Sequence, residues 1–282
     1  MDDLSTHLFG QLTLVITRLG HRSKAQVAGS RYKMSTDSSW SFAVVHPLPR
    51  SSRQKVTREG NMIPRTETDD ESIRKARGLQ GVCWGQEYER MIGGMLYTPL
   101  APELIEGRSR ARQLTGEFNA SLYGDVASEK TSQQREEVLK KLFGRTGRSI
   151  YIEPPLFVDY GCNISVGESF YANFHLTILD CGLVSIGNNV EIGPNVSIIT
   201  SEHHTMIEER RANRGFEFTR SVVIGDDCWV GAGAIILAGV TIGSGCSIGA
   251  GSVVKSDIPA LSIAVGVPAR VIRSAKQETT VD

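Results

Sequence analysis

Paired cysteines, an excess of either charge and long apolar runs are all missing from this sequence. Its 282 residues hold five cysteines (Cys83, Cys162, Cys181, Cys228, Cys246). That number is odd and includes no CxxC or CxH spacing, which argues against a disulfide framework and against a structural zinc site. A reducing, cytoplasmic compartment and no bound metal are therefore expected. Lys plus Arg and Asp plus Glu number 31 each, so bulk electrostatics give no reason to bind nucleic acid or an anionic membrane. No run approaches the roughly 18 apolar residues of a spanning helix. A Walker-type phosphate loop is also missing.

The balanced total hides an asymmetry. Residues 1–85 carry 13 basic and 8 acidic residues, with abundant Ser, Thr and Arg, prolines at Pro47, Pro49 and Pro64, and scattered apolar positions. Such a segment buries too little surface to offset its ordering entropy, so it reads as a disordered amino-terminal extension. Its apolar stretch, Leu8 to Leu19, follows Asp2 and Asp3, unlike the basic start of a secretory or mitochondrial leader. A native start at Met34 or Met62 is an alternative.

Residues 86–145 read as a helical accessory segment. Pro99 to Asn119 carries Leu100, Leu104, Leu114 and Phe118 among charged residues, with Pro102 suited to a first helical turn. Thr131 to Gln134 has the form of a capping box. Val138, Leu139, Leu142 and Phe143 then make one apolar stripe ending at Gly144, a residue suited to a left-handed cap.

The most informative pattern follows. Every sixth residue from Ile224 is β-branched: Ile224, Val230, Ile236, Ile242, Ile248 and Val254. Four of these precede glycine (Gly225, Gly231, Gly243, Gly249), and small or short side chains such as Cys228, Ala234 and Cys246 lie two residues before. The phase recurs at Ile186, Ile192 and Ile198 and, after a two-residue slip, at Val166, Ala172 and Ile178. A strict six-residue period is the signature of a parallel β-helix whose three flat sides take one hexad each. The β-branched residues should point inward, the adjacent glycines should permit the corners, and Cys162, Cys228 and Cys246 should be small core residues. The prism spans 146–275, with a tail at 276–282.

Between Ile198 and Ile224 the register breaks by two residues, so residues 200–220 should leave the prism as a loop, where function on a repeat scaffold concentrates. The loop opens with Ser201-Glu202-His203-His204 and also holds Glu208, Glu209 and Glu217. A histidine on such a loop offers a general base at neutral pH. A solvated charged loop with incidental histidines is the competing reading.

Several strings exceed the generic hexad pattern: Glu153-Pro154-Pro155 before Asp159-Tyr160-Gly161, Tyr171 to Asp180, the loop at His203, Ile224 to Gly231, and Val265-Gly266-Val267-Pro268-Ala269-Arg270-Val271-Ile272. Over roughly residues 87–275 the chain resembles the maltose/galactoside O-acetyltransferase family, including the nodulation-type sugar acetyltransferases. The resemblance implies a left-handed parallel β-helix that assembles as a homotrimer, with acetyl-CoA and a sugar meeting in clefts between subunits. It places the catalytic base on His203, in a string that usually reads His-Pro. His204 is a weaker claimant to that role; acceptor-side positions fall on Asn173, Asp159 and Glu217, and Glu217 or a loop carbonyl would orient the histidine ring. Acetyl-CoA contacts fall on Ala232, as an oxyanion donor, and on Ala250, Lys255, Arg270 and Arg273. Cys181 stands where some relatives have a second Asp, and Pro99 where the galactoside branch has a carboxylate, which favours a maltose- or glucose-type acceptor. A hexapeptide acyltransferase with another acceptor, or a non-catalytic β-helix scaffold, are the alternatives.

Overall fold

In the computed structural model, residues 63–121 and 128–276 are described, together with a short antiparallel ladder pairing Gln26–Val27 with Ser30–Arg31. The ladder belongs to a separate amino-terminal unit, Met1–Val56. Most of the expected disordered extension, and residues 277–282 of the tail, lie outside the described residues. The stretch expected to lack structure does contain a helix, α1 (Asp70–Ala76). Asp69 caps it by accepting from Glu71 N at 3.2 Å and Ser72 Oγ at 3.1 Å. Acidic residues fill its first turn and basic ones its last, which suits the helix dipole. Composition could not show that Ala76 is wholly buried against the helices that follow.

Three more helices precede the prism: α2 (Gln86–Ile92), α3 (Pro102–Ala120) and α4 (Glu129–Leu142). Pro102 opens α3, where its missing N–H costs nothing. The expected capping box at Thr131 does not form; α4 begins two residues earlier, with Ser128 at the cap position. Gly144 is not a left-handed cap either. A side chain there would collide with the Cys162 carbonyl, so glycine is required by close backbone approach.

The hexads build three parallel faces. The first stacks Arg145–Thr146, Ile164–Val166, Val184–Ile186, Val222–Ile224 and Thr241–Ile242. The second stacks Tyr151–Ile152, Tyr171–Ala172, Glu191–Ile192, Trp229–Val230, Ser247–Ile248 and Ser262–Gly266, and ends in an antiparallel hairpin with Ala269–Ser274. The third stacks Leu156–Val158, Leu176–Leu179, Ser197–Ile199, Ile235–Ile236 and Val253–Val254. The six phase-defining residues from Ile224 to Val254 are at most 1% exposed. Each contributes roughly 1.5–3 kcal/mol by leaving water. Cys162, Cys228 and Cys246 are buried free thiols, as expected.

The corner glycines serve a purpose other than the expected one. Gly187, Gly193, Gly225 and Gly231 are not in the left-handed region, which is occupied instead two residues later by Asn189, Asn195, Asp227 and Gly233. A Cβ at Gly193 would lie 2.7 Å from Ala232 N, and one at Gly231 would lie 2.6 Å from Ala250 N. Glycine follows the inward residue because the next coil's backbone passes there. Asn189 and Asp227, both left-handed, brace each other through Nδ2 to Oδ1 at 2.9 Å.

A Gly187→Ala substitution places its methyl 2.6 Å from Asp226 N, on a backbone already tied to both neighbouring coils. It should destabilise the prism by about 1–3 kcal/mol, the usual cost of overpacking. Denaturant titration with an unchanged m-value would register that loss, and a midpoint equal to wild type would contradict it.

Candidate active site

After Ile199 the chain leaves the third face and returns at Val222. Its exit and re-entry pair as an antiparallel ribbon, Ser201 opposite Thr219 and Glu202 opposite Phe218, with helix α5 (Ile207–Ala212) beyond. Threonines fix the root. Thr200 Oγ1 donates to Leu179 O at 2.6 Å and accepts from Gly182 N at 2.7 Å. Thr219 Oγ1 donates to Met91 O in α2 at 2.5 Å. The base of the loop is thereby held by the coil below and by the helical segment.

On this ribbon the two histidines part company. The His203 side chain is 59% exposed, with Nε2 4.0 Å from Glu217 Oε1. His204 turns inward: its Nδ1 lies 2.9 Å from Glu209 Oε2, and its ring packs on Phe218 at 5.5 Å between centroids. Its carbonyl accepts from Arg210 Nη1 at 2.9 Å. Where the family string has proline, these contacts hold the loop. His203 remains exposed on the outer side of the ribbon.

Beside Glu217 a polar seam runs along the same end of the third face. Asp159 Oδ2 accepts a weak hydrogen bond from Cys181 Sγ at 3.4 Å. Burial pushes the Asp159 carboxyl above its usual range against the opposing pull of that thiol, while burial holds Cys181 well above its own, as a neutral donor. Beneath them Asp180 is completely buried. Its Oδ1 accepts from Asp159 N at 3.0 Å and Tyr160 N at 2.9 Å, and Oδ2 accepts from Asn163 N at 3.4 Å. Asn163 Oδ1 in turn accepts from Tyr88 Oη of α2 at 2.8 Å. Burial lifts the Asp180 carboxyl to about 7 despite the backbone donors. On the helical side, Arg108 donates to Tyr160 Oη at 2.6 Å and to Pro99 O at 2.5 Å.

Within one chain the structure gathers His203, Glu217, Asp159 and Cys181 but leaves the other expected site residues elsewhere. Asn173, Gly193, Ala232 and Ala250 stack along the edge between the second and third faces. Asn173 N donates to Ile192 O and Gly251 N to Ala232 O, coil on coil. The whole width of the third face separates this column from His203. Arg270 and Arg273 lie exposed on the terminal hairpin, opposite Val265 and Ile263, and Lys255 is exposed after Val254. Ala232 and Ala250 are exposed, and a Cβ at Gly233 or Gly251 would meet nothing within 4 Å. That edge is smooth and open with Arg270 beside its end, which fits a long polyanionic ligand lying along it, whereas Lys255 lies at the other end of the third face.

Sequence reasoning missed Tyr97, Arg108, Tyr160 and Asp180 as site residues. Arg108 gave one signal: it sits four residues after Leu104 and three before Ala111, a charged residue in register with the buried stripe of α3. Tyr97 gave none, since its role depends on pairing with Glu217, 120 residues away.

A three-sided parallel prism of hexads that throws out one histidine-bearing loop and, on another corner, leaves an open small-residue edge has the form of a hexapeptide-repeat acyltransferase. A family model described as the maltose acetyltransferase hexapeptide capping motif matches residues 90–147, and one described as bacterial transferase hexapeptide (six repeats) matches residues 221–256. The galactoside O-acetyltransferase of Escherichia coli (strain K12) is 42% identical over 185 residues, covering 66% of this chain and 87% of that protein. The crystal structure of a maltose O-acetyltransferase from Clostridium difficile 630 superposes with a TM-score of 0.63 at 40% identity, covering 68% of this chain and 99% of the other. A galactoside acetyltransferase in complex with coenzyme A gives 0.62 at 40% identity, with coverage of 68% and 92%. The chain belongs to the maltose/galactoside O-acetyltransferase family.

The buried carboxyl has a measurable consequence. The folded state keeps the Asp180 proton up to about pH 7, whereas an unfolded carboxyl releases it near 3.8. Folded protein thus binds more protons between those values, and stability falls as pH rises through that window, by at most about 4 kcal/mol. Asp180→Asn should flatten this slope in urea titrations run from pH 4 to 7; parallel curves for variant and wild type would refute the assignment.

Proposed function

We propose that the chain transfers an acetyl group from acetyl-CoA to a hydroxyl of a sugar, with His203 as general base. The observation that carries this reading is the placement of His203, exposed on a braced loop with the Glu217 carboxylate 4.0 Å from Nε2. A hydroxyl is a weak nucleophile until its proton is removed, and a neutral imidazole can accept it. In the reading, His203 takes the acceptor proton, the oxygen bonds to the acetyl carbon, the C–S bond breaks, and the imidazolium returns the proton to the departing thiolate. No acyl-enzyme forms. The Ala232 N–H serves the tetrahedral oxyanion. Ala250 lines the cofactor path, and Lys255, Arg270 and Arg273 receive its phosphates. Asp159 and Asn173 grip acceptor hydroxyls. A maltose- or glucose-type acceptor is favoured, because Cys181 and Pro99 stand where the galactoside pattern has carboxylates.

The two halves of this site lie on different edges of one prism, which supports a shared site in a homotrimer. A second copy, rotated about an axis along the prism, can bring its Asn173 and Ala232 edge to the His203 edge of the first. Phe157, Phe174 and Trp229, exposed by 48%, 45% and 53% on or beside the two faces flanking the Asn173 edge, are apolar material for such a contact. A cytoplasmic location accords with the five free cysteines.

Free thiol release from acetyl-CoA, measured with maltose, glucose, galactosides and glucosamine as acceptors, tests the reading. His203→Ala should lower turnover by about 10²–10⁴-fold, the usual worth of a positioned base; near-wild-type turnover would sink the assignment. Mixing unfolded His203→Ala and Asn173→Ala chains and refolding them together should recover about a quarter of wild-type activity if each site draws on two copies assembled at random. No recovery from a well-folded mixture would place each site within one chain.

A further inference from the structure

Tyr97 lies where the helical segment meets the ejected loop, and its ring is wholly buried. Its backbone exchanges both hydrogen bonds with Glu217, N to O at 3.0 Å and O from N at 3.1 Å. The phenol adds a third link, donating from Oη to Glu217 Oε2 at 2.9 Å. The remaining carboxylate oxygen, Oε1, is the one that faces His203 Nε2. Glu217 is therefore pinned at both main chain and side chain by one residue.

Burial, with Cys181 and Glu217 alongside, pushes the Tyr97 phenol far above its ordinary range. The hydroxyl stays protonated at any working pH and so remains a donor. An exposed imidazole on a loop has little else to fix it: among the described residues, Glu217 is its one ion-pair partner. A carboxylate free to rotate would present either oxygen at varying distances, whereas one with Oε2 engaged presents a single oxygen in a single direction.

We propose that Tyr97 is a positioning residue for acetyl transfer: its phenol locks Glu217 in the rotamer that holds the His203 ring, so that the helical segment sets the orientation of the base. The proposal rests on the reading of His203 as general base. The Tyr97 ring is wholly buried, and the edge assigned to the cofactor lies across the third face. Its loss should therefore act on turnover rather than on binding.

The test compares wild type, Tyr97→Phe, Glu217→Gln, their double variant and His203→Ala as full chains. Phe keeps the buried ring, so the melting temperature should change by only a few degrees. Tyr97→Phe should lower kcat about tenfold while the KM for acetyl-CoA stays within about twofold. In the double variant the two losses should not multiply, because both break the same line. The His203 ring signal in a proton–carbon NMR spectrum, assigned by its disappearance in His203→Ala, should move in Tyr97→Phe and in Glu217→Gln at one fixed pH. An unmoved ring signal, or fully multiplicative losses in kcat, would overturn the proposal. Full turnover in His203→Ala would instead remove the base reading, and the ring signal would still decide whether Tyr97 orients that side chain. Should Tyr97→Phe fail to fold, Glu217→Gln carries the decision, since an unmoved ring signal there equally breaks the line.

Discussion

The described prism and the loop it carries depend on coil-to-coil backbone hydrogen bonding. Each coil donates and accepts along three faces, and the next coil's backbone comes within about 2.6 Å of where a Cβ at the corner glycines would stand. Two extra residues are taken up within the stack between Ile178 and Ile186, where paired coils still align strand on strand, but the longer insertion at residues 200–220 is not. That insertion leaves the prism, and the segment outside must find hydrogen bonds of its own. The ribbon of Ser201–Glu202 against Phe218–Thr219 supplies those bonds. The root of the loop that carries His203 is held by this ribbon and by the coil hydrogen bonds of Thr200.

A rigid root does not orient a side chain several residues out. Here the helical segment contributes what the prism cannot. Met91 accepts from Thr219, Tyr97 pairs with Glu217, and Tyr88 reaches through Asn163 to the buried Asp180. Each link joins a helix or its connection to a polar atom at the end of the third face. Buried polar groups that are satisfied specify one arrangement, because any other leaves them unpaired at a cost of about 1–3 kcal/mol each. Asp180 illustrates the balance: backbone donors hold its oxygens, yet complete burial outweighs them in its protonation.

The prism was legible from the sequence because its code is one-dimensional. A six-residue phase needs no knowledge of partners, and Ile224, Val230 and Ile236 are buried as that phase requires. The break at Ile198 located the loop by arithmetic alone. Glycine was read correctly as necessary and wrongly as to cause, since its neighbour in space, the next coil, lies about 18 residues or more away. Helix α1 escaped notice because its apolar content is small and its stability comes from contacts with α2. The site was half legible. His203 and Glu217 stood out as polar groups on an expelled loop. Tyr97 and Arg108 looked like ordinary helix-segment residues, because their partners are distant in sequence and no local pattern encodes a pairing across 120 or 52 residues.

The two groups of proposed site residues lie on different corners of one chain, and the geometry says why. A column of small residues can run the length of a prism edge only where no loop leaves the stack, and a loop can leave only where the register breaks. The open edge of Gly193, Ala232 and Ala250 and the His203 loop are therefore forced onto different corners of the same coil. Flexibility within the chain cannot reconcile them, since both are anchored by the hydrogen-bonded stack. Juxtaposition by rotation can, and a prism with three near-equivalent faces is suited to it. In the proposed reading symmetric assembly becomes part of the catalytic design, and the helical segment beside the loop sets which way His203 points.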